Sequence, residues 1–90
     1  MRKNKSFSFI YRVGVNGPEQ IEPANGKKFT LKELQEFVGG YIQLVPGVKS
    51  IVFCNEEGLL KRLPFNPLAS RAFKRHLVGN VVLISQRHMD

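Results

Sequence analysis

The sequence predicts an α+β fold: a single domain with a mixed or antiparallel sheet of about five to six short strands and two helices packed on one face. Three observations support this fold class. Apolar and polar residues alternate near the N-terminus, two segments carry helix-start signals, and 90 residues fit one domain. We assign residues 1–90 to that domain, with a basic arm at 1–5 and a polar tail at 86–90.

The first strand is predicted from Phe7 to Val15, where apolar side chains occupy every second position. This period of two is typical of a strand with one buried face, to which Phe9 and Tyr11 belong. An Asn-Gly-Pro turn follows. Residues Glu19 to Glu22 then predict a short edge strand that ends at Pro23.

The first helix is predicted to begin at Thr30, whose hydroxyl can cap a backbone amide while Glu33 completes a capping box. The Gly39-Gly40 pair predicts a left-handed end about two turns later. The predicted apolar face consists of Leu31, Leu34 and Val38, with Phe37 beside them.

Two apolar segments, Tyr41 to Val45 and Ser50 to Cys54, predict a hairpin covered on both faces. The Pro-Gly pair between them suits a type II turn with Gly47 at positive φ. Asn55 to Gly58 reads as a second tight turn, which predicts a third short strand at Leu59 to Lys61.

The second helix is predicted to follow Asn66, a capping residue, with Pro67 at the first helical position. We expect it to extend to about Leu77 and a last strand to run from Val81 to Ile84. Its apolar face would consist of Leu68, Ala69, Ala72, Phe73 and Leu77. Its outward face would carry a basic stripe at spacing i, i+3 and i+4, namely Arg71, Lys74 and Arg75.

Composition limits the classes of function. Fourteen Lys and Arg oppose seven acidic residues, a formal charge of +7 that attracts polyanions and argues against an acidic mimic of DNA. The single cysteine, Cys54, excludes an intrachain disulfide framework. No stretch approaches the roughly 20 apolar residues that span a bilayer. We therefore expect a soluble, cytoplasmic protein that does not act at a membrane.

Three segments carry a resemblance to a known family: Lys32 to Pro46, Asn55 to Ala69, and Leu77 to Ile84. They contain a Gly-Gly-Tyr-Ile strand, an Asn-Glu-x-Gly turn, a Leu-Pro-x-Asn-x-x-Ala segment and a closing Val-Gly-Asn-Val strand, in which Asn80 stands where aspartate is more usual. The chain thereby resembles a small bacterial and phage family known only as a domain of unknown function. The resemblance implies a compact α+β module carried by phages, plasmids and other mobile elements, and it brings no catalytic residues.

The groups suited to metal or nucleophile chemistry match no known ligand or catalytic spacing. They are Cys54, His76, His88 and the pair Glu56-Glu57. A thiol in an apolar strand is ordinary core filling, and a histidine at the end of the second helix favours the helix dipole. We therefore expect no enzyme, no cofactor and no metal site.

The candidate ligand or nucleic-acid binding residues are Tyr41, Lys61, Arg62, Asn66, Arg71, Lys74 and Arg75. Asn66 is better explained as a helix cap, and Tyr41 is either a core anchor or part of a groove. Our first hypothesis is a non-enzymatic binding module of a phage or mobile element that acts on a host protein or a small anionic ligand, including a signalling nucleotide. The alternative is sequence-tolerant nucleic-acid binding through the basic helix face. A homo-oligomer is compatible with either.

Overall fold

A computed structural model describes residues 7–89 and places them in one five-stranded antiparallel sheet with two helices. The α+β class and the antiparallel alternative are confirmed. The strands are β1 (Ser8–Tyr11), β2 (Glu19–Ile21), β3 (Ile42–Leu44), β4 (Ile51–Asn55) and β5 (Val81–Ile84), and the helices are α1 (Leu31–Val38) and α2 (Pro67–Phe73). The strand order is β2-β1-β5-β4-β3. Neither helix is long and apolar enough to cross a bilayer within the part that the structure describes.

The two helices lie on opposite faces of the sheet, so the prediction that both pack on one face is wrong. Alternate residues of β5 show the division. Val82 and Ile84 belong to the core cluster that contains α1, whereas Val81 packs in the cluster that contains Ala69 of α2, with Leu83 beside it. The continuous apolar sequence of β5 is therefore that of a strand covered on both sides.

Strand β1 is shorter than predicted. Its more buried face is the one with Ser8 and Ile10, and not the predicted face with Phe9 and Tyr11. Ser8 and Ile10 are fully buried on the α1 side. Phe7 is 42% exposed and Phe9 is half-buried on the other side. The reason is that α2 has only seven residues and covers only part of its face of the sheet.

Helix α1 has the predicted ends. The Thr30 hydroxyl accepts a hydrogen bond from the Glu33 N–H at 3.1 Å, and the Glu33 carboxylate accepts one from the Thr30 N–H at 2.8 Å. Gly39 ends the helix at φ 80°. The predicted apolar face is wrong at one position, because Leu31 is 59% exposed.

The predicted β3–β4 hairpin is confirmed, and Gly47 adopts positive φ, 78°. Coverage of both strands on both faces is wrong, however. Strand β3 is a sheet edge, with Tyr41 beside it 63% exposed and Leu44 55% exposed. The predicted edge position of the Glu19 to Glu22 segment is confirmed, because β2 forms the opposite edge.

The predicted strand at Leu59 to Lys61 is wrong, because these residues form a compact turn. The Lys61 N–H donates to the Glu57 carbonyl at 2.8 Å, and the Leu63 N–H donates to the Gly58 carbonyl at 2.9 Å. These local hydrogen bonds take the place of a ladder with β4. The sheet consequently has five strands.

Helix α2 starts as predicted, with the Asn66 side chain accepting from the Ala69 N–H, but it ends at Phe73 and not near Leu77. Lys74 takes the left-handed conformation, φ 55°, and its N–H donates to the Ser70 carbonyl. Residues 74–78 therefore leave the helix as an irregular segment. The predicted strand at Val81 to Ile84 is confirmed as β5.

Residues 86–89 of the predicted polar tail are folded against the domain, so the prediction is wrong for this part of it. Gln86–His88 form a 3₁₀ helix, and His88 is only 2% exposed. Its carbonyl accepts from the Phe29 N–H at 2.9 Å, and its ring meets that of Phe29 edge-on at 5.4 Å. The predicted basic arm, residues 1–5, lies outside the described residues.

Candidate functional site

A cleft of about 330 Å³ lies on the α2 side of the sheet, where the short helix leaves β3 and β4 uncovered. Its floor contains Gln43 and Cys54, which are cross-strand partners. One wall is the turn at residues 56–60, and the other is the irregular segment at residues 75–78. We call it the β4–α2 cleft.

The buried side chain of Asn55 holds the turn that forms the first wall. Asn55 is buried; its side-chain amide donates to the Val38 carbonyl at 3.1 Å and its side-chain oxygen accepts from the Glu57 N–H at 2.8 Å. A Cβ on Gly58 would lie 2.8 Å from Cγ2 of Val78, in the opposite wall. The absence of a side chain at Gly58 thus allows the two walls to touch at the base of the cleft.

Two leucines form the rim of this wall. Leu59 is 72% exposed and Leu60 is 81% exposed. Burying a leucine contributes about 1.5–3 kcal/mol relative to leaving it in water, so the fold gives up that stabilisation at two adjacent residues. An ion pair between Lys61 and Glu57, at 3.4 Å, spans the same turn.

The second wall is tied to the β3–β4 turn through Arg75. The Nε of Arg75 donates to the Pro46 carbonyl at 3.2 Å, and its guanidinium lies against Gly47. The ring of the next residue, His76, stacks on Phe65 with centroids 5.1 Å apart. Phe65 is itself 49% exposed, which extends the apolar surface beyond the cleft.

Cys54 is half-buried in the floor of the cleft, and burial raises the pKa of its thiol. A thiol with a raised pKa stays protonated near neutral pH and is a poor nucleophile. Among residues 7–89, no group of three or more His, Cys, Asp or Glu side chains is placed to hold a metal ion. The exposed leucines at the rim give this cleft apolar surface that a bound group could cover.

A second cleft, of about 310 Å³, contains two of the predicted site residues, Asn66 and Arg71. Arg12 also lines it and forms an ion pair with Glu19 at 3.2 Å. Arg71 has no ion pair within the described chain. We call this the Arg12–Arg71 cleft; its two guanidinium groups suit an anion.

The other predicted site residues lie elsewhere. Tyr41 and Lys61 line a shallow depression of about 150 Å³ at the start of β3. Arg62, with φ 56°, ends the turn after the rim leucines, and Lys74 ends α2. Because Arg75 turns toward Pro46, the predicted basic stripe of Arg71, Lys74 and Arg75 on one helical face does not form.

Asn66 has a structural position. It is fully buried, and its side-chain amide donates to the carbonyls of Tyr11 and Gly79 at 2.9 and 2.8 Å. Its side-chain oxygen accepts from the Ala69 N–H at 2.9 Å. These contacts use both side-chain N–H donors, so Asn66 has no free donor for a ligand in the Arg12–Arg71 cleft.

Comparison with known protein families gives one match, which covers most of the chain. Residues 11–90 match the family model of DUF3846, described as a domain of unknown function. The chain belongs to the DUF3846 family. No curated protein and no solved structure matches the chain.

Sequence reasoning missed three residues of this DUF3846 chain that line the two clefts. Leu59 and Leu60 were predicted to belong to a short strand, and Arg12 falls within the predicted first strand, Phe7 to Val15. The usable signal for the leucines was their position directly after an Asn-Glu-Glu-Gly turn, without an apolar partner two residues later. No local pattern indicated that Arg12 would approach Arg71.

Proposed function

We propose that this DUF3846 chain is a non-enzymatic binding module that holds a partner protein through the β4–α2 cleft. The observation that carries the proposal is the pair of rim leucines, Leu59 and Leu60, displayed on a turn that internal hydrogen bonds hold in place. An apolar cleft bordered by exposed leucines favours a partner that inserts an apolar side chain and covers the rim. A preformed site also loses little conformational entropy on binding.

A binding role is further supported by the state of the reactive groups around the cleft. Burial raises the pKa of the Cys54 thiol, the carboxylate of Glu57 is paired with Lys61, and the ring of His76 is stacked on Phe65. General acid-base chemistry needs a group within hydrogen-bond reach of a bound substrate and free to exchange a proton. The pairing of Glu57 and the stacking of His76 instead support a role for both side chains in holding the two walls.

We further propose that the partner is a host protein and that the chain acts in the cytoplasm on behalf of a phage or mobile element. The support for this setting is the resemblance of the segments from Lys32 to Ile84 to a family of such elements. The net charge of +7 would favour an acidic partner surface through long-range attraction.

The experiment compares three proteins in affinity purification from host lysate, followed by native mass spectrometry of the retained complexes. They are the wild type, the double variant Leu59→Ser/Leu60→Ser, and the control Leu31→Ser, which removes an exposed leucine on the other side of the sheet. We expect one partner retained by the wild type and the control and reduced at least tenfold with the rim variant. Equal retention by all three proteins would refute the role of the cleft.

A second candidate function, binding of a small anionic ligand, is favoured by the Arg12–Arg71 cleft. Arg71 is available there for a phosphate group, and Arg12 would exchange Glu19 for it. Calorimetric titration with pyrophosphate tests this, with Arg71→Gln expected to abolish binding and the rim double variant expected to retain it. Absence of binding to the wild type would remove this candidate.

Nucleic-acid binding remains an alternative that rests on net charge, because the helical stripe on which it depended is not formed. Titration of single- and double-stranded DNA at low and moderate salt tests it. Lack of binding at low salt would exclude this alternative.

A further inference from the structure

The two edges of the sheet differ in how they are protected against pairing with another strand. At the β2 edge, Glu19 and Gln20 lie between Pro18 and Pro23. Charged side chains and prolines are the usual protection of a free edge. The β3 edge has neither, because residues 41–48 contain no charge and no proline before Pro46.

Backbone groups at the β3 edge point away from the sheet. The Val45 N–H donates to the Val52 carbonyl and the Glu56 N–H donates to the Tyr41 carbonyl, both at 2.8 Å, on either side of the Gln43 pairing with β4. Residues 41, 43 and 45 therefore face β4. In an antiparallel ladder the intervening residues face the other way, so Ile42 and Leu44 present two N–H donors and two carbonyl acceptors outward.

The side chains at this edge are apolar and open to solvent. Leu44 is 55% exposed and Ile42 is half-buried, and both lie on the α1 face of the sheet. Tyr41, at the start of the strand, is 63% exposed. An unprotected edge with exposed apolar side chains is a template for an added strand.

We propose that β3 pairs with β3 of a second copy of this chain, antiparallel and centred on Gln43. In this register Ile42 lies opposite Leu44 of the second copy, and the twofold axis repeats that pair. Each of the two pairs exchanges two N–H to carbonyl hydrogen bonds. The two outward donors and two outward acceptors of each molecule are thereby all used. The same register brings the Leu44 side chain against Ile42 of the second copy and joins the two sheets into one.

A second copy fits this edge because the segment is complementary to itself. Two molecules of charge +7 repel each other, and the nearest charges are Lys61 beside Gly40 and Arg75 beside Gly47, at the ends of the segment and not on its paired residues. Added salt should therefore strengthen the association. A charged partner strand would meet no opposite charge on Ile42, Gln43 or Leu44.

The pairing has a consequence for the β4–α2 cleft, which Gln43 and Val45 line. Because Gln43 would face Gln43 of the second copy across the axis, the clefts of the two molecules would adjoin. The dimer would then offer one twofold-symmetric surface with a pair of leucine rims. This inference is independent of what occupies the clefts.

Sedimentation equilibrium of the full chain measures the association. We expect a species of twice the 10.2 kDa chain mass, with micromolar dissociation that tightens as salt rises. Leu44→Pro removes an outward N–H without touching the bonds to β4 and should weaken the dimer at least tenfold. Circular dichroism checks that the proline variant folds. If it does not, Leu44→Lys replaces it as the test, because a charge at the edge should also weaken the dimer at least tenfold. A wild type that stays monomeric at millimolar concentration overturns the proposal.

A disulfide test reports the register. In an antiparallel pair without direct hydrogen bonds, opposite Cα atoms lie about 4.5 Å apart, within reach of a disulfide. Gln43→Cys in a Cys54→Ala background should therefore cross-link two chains on mild oxidation, the background being needed because Cys54 is the partner of Gln43 within the chain. Ile42→Cys in the same background should not, since Ile42 faces Leu44 of the second copy. Equal cross-linking at both positions would contradict the register.

Discussion

A single side chain, Asn66, connects three parts of the fold. Its oxygen caps α2, and its amide donates to carbonyls in β1 and in the turn before β5. The capping role was predictable from the sequence because it depends on neighbours within three residues. The two long-range bonds were not, because Tyr11 is 55 residues away along the chain and no local pattern marks such a contact.

We predict that Asn66→Ala lowers the free energy of unfolding by about 2–4 kcal/mol. Loss of the cap accounts for about 1 kcal/mol and the buried Gly79 carbonyl left without its donor for about 1–3 kcal/mol, with a smaller contribution from the part-buried Tyr11 carbonyl. Asn25→Ala is the matched control, because Asn25 accepts from two backbone N–H groups but is exposed. Urea unfolding of both variants gives the comparison. A smaller loss for Asn66→Ala than for Asn25→Ala would contradict the structural role of this side chain.

Individual elements were predictable where local signals determine both ends. The capping box at Thr30 and the glycine at position 39 determine the two ends of α1, and both signals lie within or next to the helix. Helix α2 ends earlier than predicted because Lys74 adopts the left-handed conformation. This position usually carries a glycine, so the sequence contains no signal of the helix end. The turn after β4 was mistaken for a strand because two consecutive leucines have the composition of a strand, while their exposure depends on how the turn packs.

The packing of this turn gives a prediction for Gly58. A methyl group there would meet Cγ2 of Val78 at 2.8 Å and the Asn55 carbonyl oxygen at 3.3 Å. We expect Gly58→Ala to lower the free energy of unfolding by about 1–3 kcal/mol through overpacking. The double variant Gly58→Ala/Val78→Ala should recover part of the loss relative to Val78→Ala alone, as a double-mutant cycle in urea would measure. If the two substitutions are simply additive, the Val78 contact is not the cause.

At the scale of the whole molecule, the arrangement depends on contacts between distant parts of the chain. Strand β1 pairs with β5, Phe9 lying opposite Leu83, which places the first strand inside the sheet. Period and propensity predicted the strands but neither this pairing nor the positions of α1 and α2 on opposite faces. The folding of the C-terminal residues was missed for the same reason, since the partners of His88 lie near the other end of the chain.

The contact between His88 and Ser8 predicts how stability depends on pH. His88 Nδ1 lies 2.7 Å from the Ser8 hydroxyl, which also accepts from the Ser85 N–H, so a neutral imidazole can accept the hydroxyl proton. Burial, followed by the charges of Arg87 and Lys28, lowers the pKa of His88 below its ordinary 6.5, with Glu22 opposing. The unfolded chain therefore takes up a proton before the folded one as pH falls.

The expected result is that the stability contributed by neutral His88 is full above pH 6.5 and is lost as pH falls from there through the folded pKa. Urea unfolding at a series of pH values from about 7.5 to 5 measures this as a declining free energy of unfolding. His88→Gln should flatten the profile in that window, whereas His76→Gln leaves the buried ring in place and should keep the decline. A flat wild-type profile would mean that the contact between the two ends of the chain does not depend on the charge of His88.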